Sequence, residues 1–542
     1  MLTSLLAAAL LVAAPTGPLS DIHPGPASGL RAAGENGTLD WDPWLATLPD
    51  RVVFEAAAAD GVTRLWATDG TAAGTQGLAA IDVDEAFDAG AQVFLLVRPD
   101  GRVHGLWRSD GTPAGTRAIA VPSIPDTTPT PLGVFAGRLL FANDYGGDGR
   151  ELWISDGNDA GTALLADLDR RGSGRPDDVV DLGTRAVFTA GSASGRELWA
   201  TDGSRAGTTQ VADLAPGAAS AFVLGGARLH RLGTVVVFPA VGALWRSDGT
   251  PAGTARLADL GTARVTASFA LGDRVFILTA EPPALWASDG GAQGTHIVAH
   301  GLTRPRAVGT VGATALFFAV DGDGEALWAS DGSPAGTQRL RALRSDPVRR
   351  LAAACLPQAC VFAADGDGGG SEPWRSDGRA AGTRQLADLR PGAAGSQPLG
   401  FAAAAGRLVF LADDGAHGVE AWTTRGAAGD ARLLADLAPG AASGGAAALA
   451  VERPFAVTPT HLLLAADDGV HGREAWAIPH ARLAPAGDCD GDGRVEIADL
   501  VGAVRVALGA AVVDTCPDLD ADGDGSIAID ELIGAVAGAL AE

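Results

Sequence analysis

Two acidic segments near the C-terminus carry the side chains best suited to bind a metal ion. The first reads DCDGDGRVEIAD from Asp488, and the second reads DADGDGSIAIDE from Asp520. Both segments place acidic side chains at positions 1, 3, 5 and 12 and a glycine at position 6 of a twelve-residue loop. Ca²⁺ takes six to eight oxygen ligands, and loops with this spacing supply them. The sequence therefore predicts two calcium sites.

Each loop has its own predicted ligand set, in which position 7 contributes a backbone carbonyl and water completes the shell. The predicted ligands of the first loop are Asp488, Asp490, Asp492, the carbonyl of Arg494, Glu496 (directly or through water) and Asp499. The predicted ligands of the second loop are Asp520, Asp522, Asp524, the carbonyl of Ser526 and Glu531. The segment from Asp488 to Glu542 has a net charge of −11. Bound cations would relieve the repulsion among these carboxylates.

An amphipathic helix is predicted after each calcium loop. DLVGAVRVALG follows the first loop and ELIGAVAGALA follows the second, with a constant offset of 32 residues. This duplicated unit, an EF-hand-type loop with an exiting helix, resembles the type I dockerin module over about 55 residues. The resemblance implies calcium binding and a cohesin-like receptor as a partner. Positions 10 and 11 of the loops are Ile497-Ala498 and Ile529-Asp530, where many dockerins have hydroxyl pairs, so cohesin docking does not transfer.

A repeat of about 46 residues occupies most of the remaining chain. It is marked by ten tryptophans, whose spacings run 41, 46, 46, 46, 41, 42, 46, 48 and 54. Each unit contains four short segments of alternating apolar residues separated by Asp-Gly, Gly-Gly or Pro-Gly, which indicates four strands joined by turns. The longest connection joins one unit to the next. The repeated tryptophans are Trp66, Trp107, Trp153, Trp199, Trp245, Trp286, Trp328, Trp374, Trp422 and Trp476.

This connectivity is typical of a β-propeller, in which four-stranded sheets stack around an axis because a lone sheet cannot bury both faces. We expect an all-β fold: a propeller of about ten four-stranded repeats, in one ring or two smaller ones, plus a small α-helical calcium module. The predicted divisions are a signal peptide (1–20), an N-terminal segment (21–44), the propeller (45–483) and the paired EF-hand or dockerin-like module (484–542).

The repeated residues are interpreted as structural. A tryptophan that recurs in all ten third strands is expected to pack between blades, and stacking on sugars is the alternative. The aspartate of the Ser/Thr-Asp-Gly motif is expected to bind turn amides. The ninth and tenth units, with Thr424-Arg425-Gly426 and Ile478-Pro479, are expected to lose this turn.

The repeat, as in ELWISDGNDAGT from Glu151, resembles the bacterial extracytoplasmic proteins with the ELWxxDGT repeat over about 430 residues. That resemblance implies a secreted, propeller-like scaffold without an established activity.

Charge and cysteine usage restrict the location and partners of the chain. A net charge of −25 argues against a nucleic-acid partner. The apolar run MLTSLLAAALLVAA indicates a signal peptide, and an apolar N-terminal helix of the mature protein is the alternative. No later stretch is long and apolar enough to span a membrane. The cysteines form two predicted disulfides, Cys355–Cys360 and Cys489–Cys516, typical of an oxidising compartment. We therefore expect a secreted or cell-surface protein.

No familiar catalytic motif is present: the chain lacks G-x-S-x-G, H-E-x-x-H, a phosphate-binding G-x-x-x-x-G-K-[ST] and C-x-x-C. The sequence therefore favours a non-catalytic protein that binds an unidentified extracellular protein or polysaccharide. The alternatives are a component of a polysaccharide-degrading assembly that docks through the C-terminal module, and a propeller hydrolase or lyase. An enzyme would need a cluster of residues that depart from the repeat at one rim.

Overall fold

A computed structural model describes the repeat region almost completely and little of the C-terminal module. The described residues are 18–19, 22, 28–30, 44–98, 105–122, 128–144, 149–170, 172–224, 228–345, 353–366, 368–438, 443–444, 454–483, 497–508 and 532. All predicted calcium ligands except Asp499, and also Cys489 and Cys516, lie outside these residues.

Ten antiparallel sheets follow one another along the chain, and each forms one blade. Their first strands are β1 (Trp44–Thr47), β5 (Val83–Asp88), β9 (Thr130–Phe135), β13 (Asp177–Asp181), β17 (His230–Leu232), β21 (Arg264–Leu271), β25 (Thr303–Val311), β29 (Ala353–Leu356), β33 (Leu399–Ala404) and β37 (Phe455–Val457). The second strands are β2 (Val52–Ala57), β6 (Val93–Val97), β10 (Arg138–Asp144), β14 (Ala186–Ser192), β18 (Val235–Ala240), β22 (Arg274–Ala280), β26 (Thr314–Asp321), β30 (Ala359–Ala364), β34 (Arg407–Asp413) and β38 (His461–Asp467).

The tryptophan-bearing third strands pair with the second strands, and the fourth strands form the outer edges. The third strands are β3 (Thr63–Thr68), β7 (Gly105–Ser109), β11 (Arg150–Ser155), β15 (Gly195–Thr201), β19 (Ala243–Ser247), β23 (Ala284–Ser288), β27 (Gly324–Ser330), β31 (Glu372–Ser376), β35 (Val419–Thr424) and β39 (Arg473–Pro479). The fourth strands are β4 (Gln76–Ala79), β8 (Arg117–Ala118), β12 (Ala163–Ala166), β16 (Thr209–Ala212), β20 (Ala255–Asp259), β24 (His296–His300), β28 (Gln338–Ala342), β32 (Arg384–Gln385) and β36 (Arg432–Ala435).

The ten blades form a single ring. Each first strand contacts the first strands of both neighbouring blades, and β37 of the tenth blade contacts β1 of the first. A shared core seals this last junction, in which Trp44 and Phe54 pack with Leu463 and Ala475. The predicted all-β propeller is confirmed, and the question of one ring or two is answered in favour of one.

The antiparallel strand order gives the ring two different faces. One face carries the turns between first and second strands and between third and fourth strands, including every Ser/Thr-Asp-Gly motif. We call it the turn face. The other face carries the hairpins between second and third strands and the connections from blade to blade. We call it the loop face. The first strands, which begin at the loop face, line the central channel.

The tenth blade has three strands of its own, and residues near the N-terminus complete it. The backbone N–H of Leu19 donates to the carbonyl of Ala475, and that of Leu30 donates to Arg473, both in β39 (2.8 and 2.9 Å). Leu30 is fully buried in the junction core. Among the described residues, the tenth blade has no fourth strand, and these N-terminal residues take its place. We call the described residues 18–19, 22 and 28–30 the closing segment, of which 18–19 fall within the predicted signal peptide and the others lie beyond it.

The N-terminal sequence resembles the connections between blades, a similarity that the tryptophan spacing does not reveal. DIHPGPASGL from Asp21 matches the blade-to-blade connections DLAPGAASAF from Asp213 and DLAPGAASGG from Asp436. The sequence around the closing segment thus resembles a blade-to-blade connection of the repeat.

One predicted disulfide and one predicted helix are present in the described residues. The Cys355–Cys360 disulfide is present and joins directly paired residues of the β29–β30 hairpin. The only α-helix longer than one turn among the described residues is α1 (Ile497–Ala507), at the place of the first predicted exiting helix. The rest of the C-terminal module stays a prediction. No described helix has the length and apolar character needed to cross a membrane.

Candidate functional sites

The repeated tryptophans pack in the cores between neighbouring blades. None of the ten is exposed. Trp199 packs on Leu140 and Leu152 of the preceding blade, and its ring stacks on Phe188 of its own blade with centroids 6.4 Å apart. The packing interpretation is confirmed, so the indoles do not form the exposed platform that sugar stacking would require.

The repeated aspartates stabilise the turns in which they occur. In the first blade, Asp69 Oδ1 accepts hydrogen bonds from the backbone N–H and the hydroxyl of Thr71, at 2.8 and 2.7 Å. These donors favour the ionised carboxylate, and the hydroxyl is the main cause of the lowered pKa of Asp69. The same bonds and the same direction of pKa shift recur at Asp110, Asp202, Asp248 and Asp331.

The glycine of the Ala/Gln-Gly-Thr sequence completes the same turn. At Gly253, an added Cβ would lie 2.1 Å from the Asp248 carboxylate, so only glycine fits without displacing that group. The following residue, Thr254, shares a hydrogen bond of 2.7 Å with Ser247 across the turn. The motif therefore encodes a turn in which every recurring polar residue has a structural partner.

The ninth unit departs from the prediction that this turn is lost. Gly426 still donates its N–H to the Thr424 hydroxyl at 2.8 Å, as the motif glycines do. Asp430 replaces the missing aspartate from the far side of the turn: it accepts the Arg425 N–H at 2.8 Å and also the Thr424 hydroxyl. The tenth unit does lose the turn, since β39 ends at Pro479 and a 3₁₀ turn follows over His480–Leu483.

Sequence reasoning missed a second family of structural carboxylates, the glutamate two positions before the tryptophan. Glu420 has no exposed surface and accepts backbone N–H groups from Leu437, Ala438 and Gly444, at 2.9, 3.3 and 2.6 Å. These donors belong to the connection that leads to the next blade. We call such a residue a clamp glutamate. Further clamp glutamates are Glu151, Glu197 and Glu372.

Burial dominates the electrostatics of the clamp glutamates. It raises the pKa of Glu420 to about 7 and that of Glu151 to about 6, although the amide donors act in the opposite direction. The Asp436 and Asp167 carboxylates add a smaller repulsion that raises the same two pKa values. The recurring ELW tripeptide was the available signal, because a glutamate repeated beside a buried tryptophan needs a partner.

The closing segment uses the same clamp. Glu474 of β39 accepts the N–H of Gly29 at 2.9 Å, as Glu151 accepts that of Gly174 at 2.7 Å. An added Cβ on Gly29 would lie 2.5 Å from a Glu474 oxygen. Ser28 accepts the N–H of Arg473 through its hydroxyl at 3.1 Å. The junction between the closing segment and the tenth blade therefore uses the same contacts as an ordinary connection between blades.

The remaining candidates for chemistry are hairpin turns. His417 and His471 each bind an aspartate, Asp414 and Asp468, through Nδ1 at 2.7 Å. Asp321, in the acidic sequence DGDG, accepts the N–H of Asp323 at 2.8 Å across the turn between β26 and β27. Within the part of the chain that the structure describes, no three metal-binding side chains come together.

Of the predicted calcium ligands, the structure places Asp499 alone. It is 3% exposed and lies in the first turn of α1. A loop that closes its metal shell from an exiting helix requires its last acidic ligand at this position. Val501, Val504 and Leu508 lie on the exposed side of α1.

Comparisons with known proteins give similarity of shape only. No family model and no curated protein matches the chain. Among solved structures, a computationally designed protein is 15% identical with a TM-score of 0.32, over 66% of this chain and 99% of that one. A prolyl endopeptidase structure is 10% identical with a TM-score of 0.32, over 61% and 53%, and the tricorn protease is 12% identical with a TM-score of 0.24, over 81% and 47%. The chain thus matches about half the length of those two proteases. Likeness at this level transfers no activity.

Proposed function

We propose that the protein is a non-catalytic binding scaffold that acts outside the cytoplasm. One observation carries this proposal: the residues that recur in the repeat, and that have the chemistry to catalyse or bind, are occupied by structural work. The tryptophans fill cores, the aspartates hold turns and the glutamates hold connections. The repeat therefore builds a rigid ring, and recognition falls to residues that differ between blades. The Cys355–Cys360 disulfide supports an oxidising compartment.

The C-terminal module is proposed to bind two calcium ions and to attach the ring to another component. Support comes from the two loop sequences and from Asp499, which begins a helix as the loop pattern requires. The exposed Val501, Val504 and Leu508 of α1 form an apolar side suited to packing against another helix. A cohesin-like receptor is one candidate for the attached partner.

The proposed binding function is tested by profiling the intact protein on arrays of extracellular polysaccharides and proteins, with calcium and with a chelator. We expect one ligand class to be retained without being cleaved, and the ring alone to hold it after calcium is removed. Release of cleavage products from the bound ligand would instead establish the hydrolase or lyase alternative.

The calcium proposal predicts that the ion protects the C-terminal module of the full chain from proteolysis. Carboxylates crowded in each loop repel one another until a cation neutralises them. Limited proteolysis should remove the module in chelator and spare it in calcium, and magnesium should protect poorly because it prefers tight octahedral geometry. The double substitution Asp490→Ala with Asp522→Ala should abolish protection.

Asp321→Ala, in an acidic hairpin of the ring, is the matched control and should leave calcium protection unchanged. Equal cleavage of the unaltered protein with calcium and with chelator would contradict the proposal.

A further inference from the structure

The mouth of the channel on the loop face carries an uneven distribution of charge. Four consecutive blades, the fourth to the seventh, each place an arginine at or just before the start of their first strand. We call this set the arginine arc, and its members are Arg175, Arg228, Arg264 and Arg304. All four are exposed.

The four positions lie side by side around the ring. The first strands β13, β17, β21 and β25 contact one another in order. His230 Nε2 of β17 lies 2.8 Å from the Ser268 hydroxyl of β21, and Leu229 donates its N–H to Asp178 of β13 at 2.9 Å. The strands that carry the arc are therefore fixed relative to each other, and the four cations share one edge of the channel mouth.

The side chains of the arc have no structural task among the described residues. Some exposed arginines elsewhere on the ring pair with an acid, as Arg256 does with Asp259 and Arg344 with Asp365, both at 2.9 Å. Others, such as Arg205 and Arg384, are exposed and scattered over different blades, so what distinguishes the arc is that its four arginines occupy adjacent first strands. Arginines on the turn face reach the next blade, as Arg185 does when it donates to the Gly249 carbonyl at 2.9 Å. Within the described residues, no acid lies within ion-pair distance of an arc arginine, and none of the four guanidinium groups donates a hydrogen bond. The charge of Arg228 does act on Asp178, in the direction that lowers the pKa of that carboxyl.

The arginines of the arc are not part of the repeat, but the irregular backbone at the start of the first strand occurs in several blades. The first strands of the fourth, sixth and seventh blades have register shifts near their starts, and similar shifts occur in the second and ninth blades. The second blade has Asp84 and Glu85 there, and the ninth has Gln397 just before β33. A bulge of this kind re-aims side chains and is frequent beside functional sites. The starts of the first strands thus share a similar backbone conformation in several blades, while their side chains differ in charge.

Acidic side chains lie close to the arc. Asp177 and Asp178 lie in β13, and Asp178 is held by its bond to the Leu229 N–H. The Arg175 backbone is fixed independently, since the buried Arg196 donates to its carbonyl at 2.6 Å. Glu281 is exposed and follows Ala280, the cross-strand partner of Arg264. Asp321 follows Val320, the cross-strand partner of Thr303, and pairs with Arg339 at 3.0 Å. Four arginines against Asp177, Asp178 and Glu281 leave the arc positive in a chain whose net charge is −25.

We propose that the arginine arc binds a polysaccharide that carries carboxylates, such as a uronic-acid polymer. The guanidinium fork matches a carboxylate geometrically, which makes arginine the cation suited to this ligand. A flexible polymer with a charge in each repeat can follow a curved row of cations inside the channel mouth. A folded acidic protein would instead meet the outer rim of the disc. This inference rests on the proposed binding function and gives its ligand a chemical class.

The test uses the full chain with sodium hyaluronate as the probe and two matched double variants. Arg264→Gln with Arg304→Gln removes two arc charges, and Arg205→Gln with Arg384→Gln removes two exposed charges from the outer part of the ring. Each exposed ion pair contributes up to about fivefold in affinity, so the arc variant should bind about tenfold more weakly. The outer variant should bind like the unaltered protein. Binding should also fall at about 1 M salt, where the screening length is about 3 Å.

Several outcomes would overturn the assignment. These are an equal loss in both variants, retention of hyaluronate whose carboxylates have been esterified, or equally strong arc-dependent binding of poly-glutamate. A ligand found on the arrays whose binding ignores the arc substitutions would refute the arc and leave the binding function standing. Cleavage of the array ligand would refute the binding function itself.

Discussion

The turn face and the loop face of the ring both rely on a repeated carboxylate, and they use it in opposite ways. On the turn face, Asp248 binds donors two residues away, remains partly exposed and has a lowered pKa. On the loop face, Glu420 binds donors 17 to 24 residues away, is fully buried and has a raised pKa. The aspartate stabilises a turn between residues that are close in sequence. The glutamate ties one blade to the connection that leads to the next.

Substitutions in the cores between blades should reduce stability more than substitutions of the carboxylates on either face. Trp199→Ala would leave a cavity among Leu140, Leu152 and Phe188. We expect the free energy of unfolding to fall by about 3–5 kcal/mol. Thermal or urea denaturation measures this loss. A parent-like melting curve together with lost ligand binding would show that Trp199 has a binding role after all.

Glu420→Ala should have the next largest effect. The substitution leaves the N–H groups of Leu437, Ala438 and Gly444 without their acceptor, and each unsatisfied buried amide costs about 1–3 kcal/mol. Because water can enter the emptied space, we expect a total loss of about 2–4 kcal/mol. A loss no larger than that of the turn-face variant described below would remove the distinction between the faces.

The two faces should also respond differently to pH. The folded pKa of Glu420, about 7, exceeds the ordinary value of 4.5, so its contribution is fully present below pH 4.5 and is lost as the pH rises through 7. Urea unfolding at pH 8 and pH 5 should show the protein gaining about 1–2 kcal/mol more than Glu420→Gln on acidification. Asp248, whose pKa is lowered, contributes above its unfolded pKa of about 3.8 and loses this contribution only as the pH falls through its lower folded value. A Glu420→Gln variant that followed the parent at both pH values would contradict the assignment.

Asp248→Ala should have the smallest effect. It removes acceptors from the Thr250 N–H and hydroxyl, but both groups lie close to water and can be solvated. We expect a loss of about 1 kcal/mol, as for a helix cap of the same kind. Asp110→Ala, in a copy of the motif where Thr112 supplies the same two donors, offers a replicate. A loss above that of Glu420→Ala would reverse the ranking.

The sequence predicted the parts of this fold that are written as local repetition. The strands, the aspartate turns and the packing of tryptophans follow from spacing and residue type, because each involves neighbours within one unit or the next. The clamp of Glu420 on Gly444 was missed because its partner is a backbone amide, which has no sequence signature. The closing segment was missed because the connections that it resembles lie some 190 residues or more further along the chain. The arginine arc needs the ring itself, since Arg175 and Arg304 come to the same side of the channel mouth only when the blades are placed around an axis.

The closing segment also determines when the ring can close during folding. Gly29 binds Glu474 across a separation of 445 residues. At 5–20 residues per second, ribosomes need roughly 20–90 s to make that stretch. Blades can stack in order while the chain emerges, but an open edge persists on the first blade until β37 is made, and the last outer edge stays open until its N-terminal partner returns. An exposed strand edge invites pairing with other chains. The newly made protein therefore has a period of vulnerability to aggregation that ends when the closing segment pairs with the tenth blade, and a holding chaperone would be most useful during that interval.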